Sequence, residues 1–238
     1  MMRAISRTCC VVVLLSGPSP MGHAAAPEVI DIVFALDTTG SMSDEIRLVR
    51  RLVWDMANGV VLAKPAPSLR LALVRYRDKG DSYVVKVTPL TRDLDAIHKV
   101  LMRTSAGGGG DWPEHVSLAL HHAVKQKWRP TARKMIFLIG DAPPSKRGEF
   151  HWRVEAQRAK KAGVAIHAIG CTGIRGGAEI FRKIAKLSGG TYTPLPRGAG
   201  GDMSFRNTIF AQAALRHGGA KSVVMPKPAL KRDPTPSQ

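Results

Sequence analysis

Residues 29–42 read VIDIVFALDTTGSM, an apolar run interrupted only by Asp31 that ends abruptly in an acid, two threonines, a glycine and a serine. A run this short and this rich in Val and Ile suits a strand buried on both faces, Val29–Leu36. Ser43–Ala63 follows with Ile46, Val49, Leu52, Val53 and Met56 at helical spacing, so one face of a helix is apolar. A buried strand leading straight into an amphipathic helix is the first half of a βαβ unit, and that unit implies a parallel sheet.

The pattern repeats outward from this start. Leu69–Tyr76 reads as a second strand and Tyr83–Leu90 as a third. The short Asp/Gly turn between them allows only a hairpin, which makes the third strand an antiparallel edge. Leu94–Met102 and Glu114–Lys125 read as helices on either side of a glycine run. Lys134–Ile139 is a strand, Arg153–Ala162 a helix and Val164–Gly170 a strand. Glu179–Leu187 is a helix stopped by Gly189-Gly190, Thr191–Leu195 a last strand and Met203–Arg216 a closing helix. The expected fold class is α/β: a doubly wound, Rossmann-like, six-stranded and mostly parallel sheet with one antiparallel edge strand and helices on both faces.

With 238 residues, 44% hydrophobic and 23% charged, the chain can bury one sizeable core. Only 5% is aromatic, so Val, Leu, Ile and Ala must fill it. Residues 1–26 have the form of a signal peptide. Arg3 and Arg7 precede the apolar run Cys9–Leu15, prolines break it, and Ala24–Ala26 offer a cleavage site. The run is too short to span a bilayer, so no membrane anchor is expected and the mature protein is read as secreted or periplasmic. Cys171 is then the sole mature cysteine and no intrachain disulfide can form. Residues 27–217 are read as the domain and 218–238 as a flexible basic, Pro-rich tail.

The formal net charge is +18, and the first 26 residues account for two of those charges. Basic surfaces attract nucleic acid or anionic envelope polymers. Here, however, Lys and Arg are scattered at helix-surface spacing without the interleaved aromatics of a nucleic-acid platform, so no nucleic acid is expected. An electrostatic binder of anionic envelope polymers stays open as an alternative, distinguished by its salt sensitivity. The composition is silent on oligomeric state.

In a doubly wound sheet, ligands bind at the carboxyl ends of the strands. Asp37, Thr39 and Ser41 follow the first strand, Asp111 follows the glycine run Gly107–Gly110, and Asp141 follows the strand in KMIFLIGD. Three carboxylates and two hydroxyls make an all-oxygen donor set, which suits Mg²⁺ or Mn²⁺. Each element alone also has a structural explanation. Asp37 can cap a helix, Ser41 with Asp44 fits a capping box, and Asp111 before Pro113-Glu114 is a good helix start.

Phe34–Met42 (FALDTTGSM) resembles the first metal motif of von Willebrand factor A (VWA) domains, Asp-x-Ser-x-Ser, with Thr39 in the middle hydroxyl position. GGGGDWPE (107–114) and FLIGDAPP (137–144) are similar to the second and third loops of the subgroup found in alpha-kinase-linked and hemicentin-like proteins. Tyr76-Arg77-Asp78 and IAKLSGGTY (184–192) also resemble the family. The resemblance implies a metal-ion-dependent adhesion site: Thr39 and Ser41 bind the cation directly, Asp37 and Asp141 hold it directly or through water, and an acidic residue of a partner protein completes the shell. It further implies a non-catalytic protein-binding module.

One position departs from the adhesive pattern, because Asp111 stands where those domains carry threonine. A third carboxylate would tighten metal binding and weaken the pull on a partner acid, unless Asp111 caps the next helix; both readings stay open. The partner-binding rim is expected to include Arg77, Asp78, Glu114, Ser145, Lys146 and Arg147. Glu114 reads either as an acid behind the metal or as a helix-dipole partner. His121 and His122 are adjacent on a helix and face different directions, and His98, His115, His151 and His167 are isolated in sequence, so the histidines suggest no metal site of their own. A Mg²⁺-dependent phosphohydrolase is the enzymatic alternative, but it needs a second Asp where this chain has Thr39. Phosphate-loop and nucleophile-elbow motifs are absent as well.

Overall fold

The computed structural model describes residues 27–51, 66–109, 113–146, 148–171, 174 and 176–195. The sequence readings for residues 1–26, for the second half of the first helix, for Met203–Arg216 and for the tail lie outside them, as do Asp111 and Arg147. In chain order the elements are β1 (Val29–Asp37), a 3-10 turn (Gly40–Met42), α1 (described over 43–51), β2 (Ser68–Tyr76), β3 (Val85–Thr91), α2 (Leu94–Met102) and α3 (Val116–Val124). They continue with β4 (Arg133–Gly140), α4 (Trp152–Lys161), β5 (Val164–Gly170), α5 (Ala178–Ser188) and β6 (Tyr192–Pro194).

The six strands lie in the order β3-β2-β1-β4-β5-β6, with β1 at the centre of a doubly wound sheet. Every described pairing is parallel except β2 with β3. The fold class read from the sequence is therefore observed, including the antiparallel edge. Strand alternation explains the two layers of core. Ile30, Ile32, Phe34 and Leu36 of β1 pack with Met42, Ile46 and Val49 of the first loop and helix, and with Ile97 and Leu101 of α2. Val33 and Ala35, pointing the other way, meet Val116 and Leu120 of α3 and Ala156 of α4, in a layer that Phe181 of α5 also fills.

Differences from the sequence reading are local. α3 begins at Val116 instead of Glu114, because the backbone of Glu114 pairs in a parallel bridge with Pro144. β3 starts and ends later than expected, and its register shifts at Leu71/Leu73. α5 ends where expected, on a left-handed Gly189 (φ 83°) whose amide donates back to the helix. Among the described residues, no helix is long and apolar enough to cross a membrane.

Candidate functional site

β1 delivers Asp37 to the carboxyl edge of the sheet with no exposed surface, and the chain turns immediately. Asp37 Oδ1 accepts from the Thr39 amide at 2.9 Å and from the Thr39 hydroxyl at 2.7 Å. Thr39 Oγ1 lies 3.5 Å from Ser41 Oγ, so the first loop gathers three oxygen-bearing side chains. The two adjacent threonines are thereby separated by role. Thr38 Oγ1 donates to the Tyr76 carbonyl at 3.0 Å and sits 2.6 Å from the Tyr83 hydroxyl, holding the loop to β2.

Asp37 Oδ2 is buried and has no hydrogen-bond partner among the described residues. Burial is the chief reason that its carboxyl is pushed up to about 7; bonds from Thr39 oppose the rise and the charge of Asp141 adds to it. Asp141 follows β4 and is half-buried. At Gly140, beside it, a Cβ would stand 3.4 Å from both Asp37 Cβ and Oδ2 and 2.5 Å from the Tyr76 hydroxyl. The third loop thus leaves the sheet flush against the first.

The glycine run forms the other wall. The Gly107 amide donates to the Thr38 carbonyl at 3.1 Å, and the Gly40 amide donates to the Gly108 carbonyl at 3.2 Å. Asp81 holds this run from outside, its carboxylate oxygens 3.1 and 3.0 Å from the Gly109 amide. The sequence reading missed Asp81, which looked like an ordinary turn residue of the β2–β3 hairpin; its partner lies 28 residues away.

The rim expected from sequence is largely interior. Arg77, Asp78 and Glu114 are 8%, 6% and 4% exposed, and they brace the loops from within. Arg77 donates to the Ser105 carbonyl at 2.9 Å and to Ser82 Oγ at 3.2 Å, and its guanidinium lies over the Tyr83 ring. Glu114 is neither a first-turn dipole partner nor a surface acid. Its amide donates to the Pro143 carbonyl at 3.1 Å and its carbonyl accepts from the Ser145 amide at 2.7 Å, which ties the second loop to the third. Burial first, then the charges of Asp37, Asp78, Asp81 and Asp141, push its carboxyl up to about 8. Ser145 is half-buried and Lys146 exposed.

His115, isolated in sequence, is paired in space: its Nδ1 lies 2.6 Å from Asp78 Oδ1. Their separation of 37 residues left no local signal. Among the described residues no three His, Cys, Asp or Glu side chains form a group that could hold a metal ion. The donors brought together are instead two carboxylates and two hydroxyls, with one buried carboxylate oxygen unsatisfied. That set fits a small hard cation.

The family model described as von Willebrand factor A domain matches residues 31–197. The chain is 28% identical over 204 residues to von Willebrand factor A domain-containing protein 7 of Mus musculus, covering 82% of this chain and 22% of that protein. It is 27% identical over 119 residues to the alpha-protein kinase vwkA of Dictyostelium discoideum, covering 50% of this chain and 19% of that one. The chain therefore spans about a fifth of the length of these curated relatives. Among solved structures it is similar to BatB of Bacteroides thetaiotaomicron (TM-score 0.58, 16% identity, 78% of this chain and 99% of that one). It is also similar to proximal thread matrix protein 1 of the mussel byssus (TM-score 0.57, 18% identity, 79% and 45%). At such identities these structures speak for the fold.

Proposed function

The chain belongs to the von Willebrand factor A domain family, and from that premise we propose that it is a non-catalytic module of an exported protein that binds another protein in a divalent-cation-dependent way. The reading is supported most by Asp37. A carboxylate oxygen with no partner, buried beside two hydroxyls and near a second carboxylate, is costly to keep unless something positively charged meets it.

Asp37, Thr39, Ser41 and Asp141 would hold Mg²⁺ or Mn²⁺, with Asp111 as a further ligand; α3 starts at Val116 behind His115, too late in the chain for Asp111 to cap it. Once bound, the cation supplies a Lewis-acidic point charge able to accept an acidic side chain from a partner. The chain's own contribution is arrangement. Thr39 donates its proton to Asp37, which leaves the hydroxyl lone pairs turned outward. The glycine loop and the Glu114 bridge fix the walls, and Tyr76 backs the third loop at Gly140.

Calorimetric titration of the protein with Mg²⁺ and Mn²⁺, beside Asp37→Ala and Asp111→Ala, tests the proposal. Binding by the parent that Asp37→Ala abolishes is the expected result. Loss with Asp111→Ala as well assigns Asp111 to the shell, whereas retention places it outside the shell. A parent protein that binds neither cation refutes the metal site.

A further inference from the structure

Beside the three loops runs a groove of about 1090 Å³. Its walls include Lys79 from the β2–β3 turn, Pro143, Pro144 and Lys146 from the third loop, and His151 and Trp152 from the start of α4. A smaller notch of about 160 Å³, between the start of α3 and residues 145 and 148–150, shares His115, Ser145 and Gly148 with it. His115 therefore stands where the two spaces meet.

Three observations give the groove a chemistry. The first is the fixed imidazole. A carboxylate can only accept, so the 2.6 Å contact to Asp78 places the His115 proton on Nδ1 and leaves Nε2 as the acceptor of a ring that lines both spaces. No described residue bonds that nitrogen. The second is Ser117, only 6% exposed, which lines the notch with a buried hydroxyl that has no hydrogen-bond partner. Such a group is a liability in a closed interior and an asset at a binding surface. The third is charge. Lys79 and Lys146 are exposed on the groove, and its lining acid, Asp78, is engaged with His115. Glu149, at the notch, is the other acid among the lining residues. Prolines and the Trp152 ring supply apolar floor between the cations.

We propose that this groove binds an extended, acidic segment of a partner protein, with Lys79 and Lys146 taking its carboxylates and His115 and Ser117 bonding it where the notch opens. The proposal rests on the reading of the chain as a protein-binding module and names the chemistry of the partner. It places the contact beside the cation site, on residues that hold no metal.

Fluorescence polarisation of the full chain with a labelled octapeptide of alternating Glu and Ala tests it, with the Lys/Ala octapeptide as the opposite-charge probe. Measurements are made in EDTA and again in Mn²⁺. The groove pair Lys79→Glu/Lys146→Glu is compared with Lys160→Glu/Lys161→Glu at the far end of α4, where both lysines are exposed and remote from the loops. Both pairs change the net charge equally. The expected result is tenfold or greater weakening by the groove pair, less than twofold by the α4 pair, and several-fold weakening by His115→Gln. Equal weakening by the two lysine pairs, equal binding of the Lys/Ala peptide, or no binding of the acidic peptide at about millimolar concentration overturns the groove. Groove-dependent binding that is the same in EDTA and Mn²⁺ upholds it while counting against the cation reading. Mn²⁺-dependent binding indifferent to the groove pair does the reverse.

Discussion

The Gly40 amide donates to the Gly108 carbonyl at 3.2 Å, so the loop that follows β1 and the glycine run that follows α2 are a single hydrogen-bonded unit. Sixty-odd residues of chain separate them, yet the backbone of one is the wall of the other. The packing is too close for side chains: a Cβ on Gly109 would stand 3.0 Å from Thr39 Cβ and 3.5 Å from Glu114 Oε1. The oxygen donors of the first loop are thus held in place by an absence of side chains in the second.

Gly109→Ala tests that dependence. Gly109 has φ 79°, where alanine is strained by about 1 kcal/mol, and its Cβ would press on Thr39. Denaturant unfolding should show a loss of about 1–2 kcal/mol, and calorimetry a Mn²⁺ affinity reduced at least tenfold. Gly189→Ala is the control. It has φ 83° with nothing within 4 Å of its Cβ, so it should cost about 1 kcal/mol and leave cation binding unchanged.

Removal of the buried charge gives the second prediction. Asp37→Asn keeps an oxygen for the Thr39 bonds but removes the carboxylate whose Oδ2 has no partner. In EDTA at pH 8 the variant should melt at or above the parent's temperature, since no carboxylate then has to be ionised in the interior. Mn²⁺ should raise the parent's melting temperature and leave the variant's where it was. A variant that melts lower in EDTA yet still responds to Mn²⁺ would show that Asp37 is structural.

The fold was legible because each strand announced itself twice, by an apolar run and by the helix or turn that followed. VIDIVFAL could only be a buried strand, and the tight turn after Tyr76 could only make the next strand antiparallel. Asp37, Thr39 and Asp141 were legible for the same reason: the end of a strand in a doubly wound sheet is a known address. What stayed hidden were the long-range partners. Nothing around His115 points to Asp78, nothing around Asp81 points to Gly109, and Glu114 looked helical because its bridge to Pro144 is a tertiary contact. The burial of Arg77 was hidden for a related reason. Charge suggests a surface, whereas Arg77 is enclosed by Ser82, Ser105 and Tyr83.

The third prediction concerns acid. His167 in β5 stacks on Phe137, and its Nδ1 lies 3.3 Å from the Thr191 amide, which donates to it, and 3.0 Å from the Thr191 hydroxyl. Burial is the main cause that lowers its pKa to about 4, with Arg133 adding to the effect. The unfolded chain therefore takes up a proton near pH 6.5 that the folded chain refuses until about pH 4. Stability from this residue is complete above pH 6.5 and is lost as pH falls through that window, by roughly 3 kcal/mol at pH 4. Urea midpoints measured from pH 7 to pH 4 should fall more steeply for the parent than for His167→Gln; parallel curves would contradict the assignment.

The last prediction separates the two edges of the sheet. Asp31 of β1 is fully buried at the end opposite the loops, and its low pKa reflects bonds from Arg70 and Arg129 that outweigh burial. Arg129 is the hub: Nε donates to Asp31 Oδ1 at 2.9 Å, Nη1 to Ser68 Oγ at 2.7 Å, and Nη2 to the carbonyls of Ile30 and Ser68 at 2.7 Å each. One planar guanidinium thereby clamps the starts of β1 and β2, a geometry that an ammonium cannot reproduce. Arg129→Ala removes the Nε bond to Asp31 and the bonds to Ser68 and Ile30, while Arg70 and the backbone amide of residue 129 still meet the carboxylate, and should cost about 2–3 kcal/mol in denaturant unfolding, with Arg129→Lys recovering only part of it. Because the clamp lies at the far end of β1 from Asp37, the folded variant should bind Mn²⁺ with the parent's affinity. If Arg129→Lys weakens the cation instead, strain at the base of β1 must reach its tip, and the site would depend on the whole strand's position and not on its loops alone.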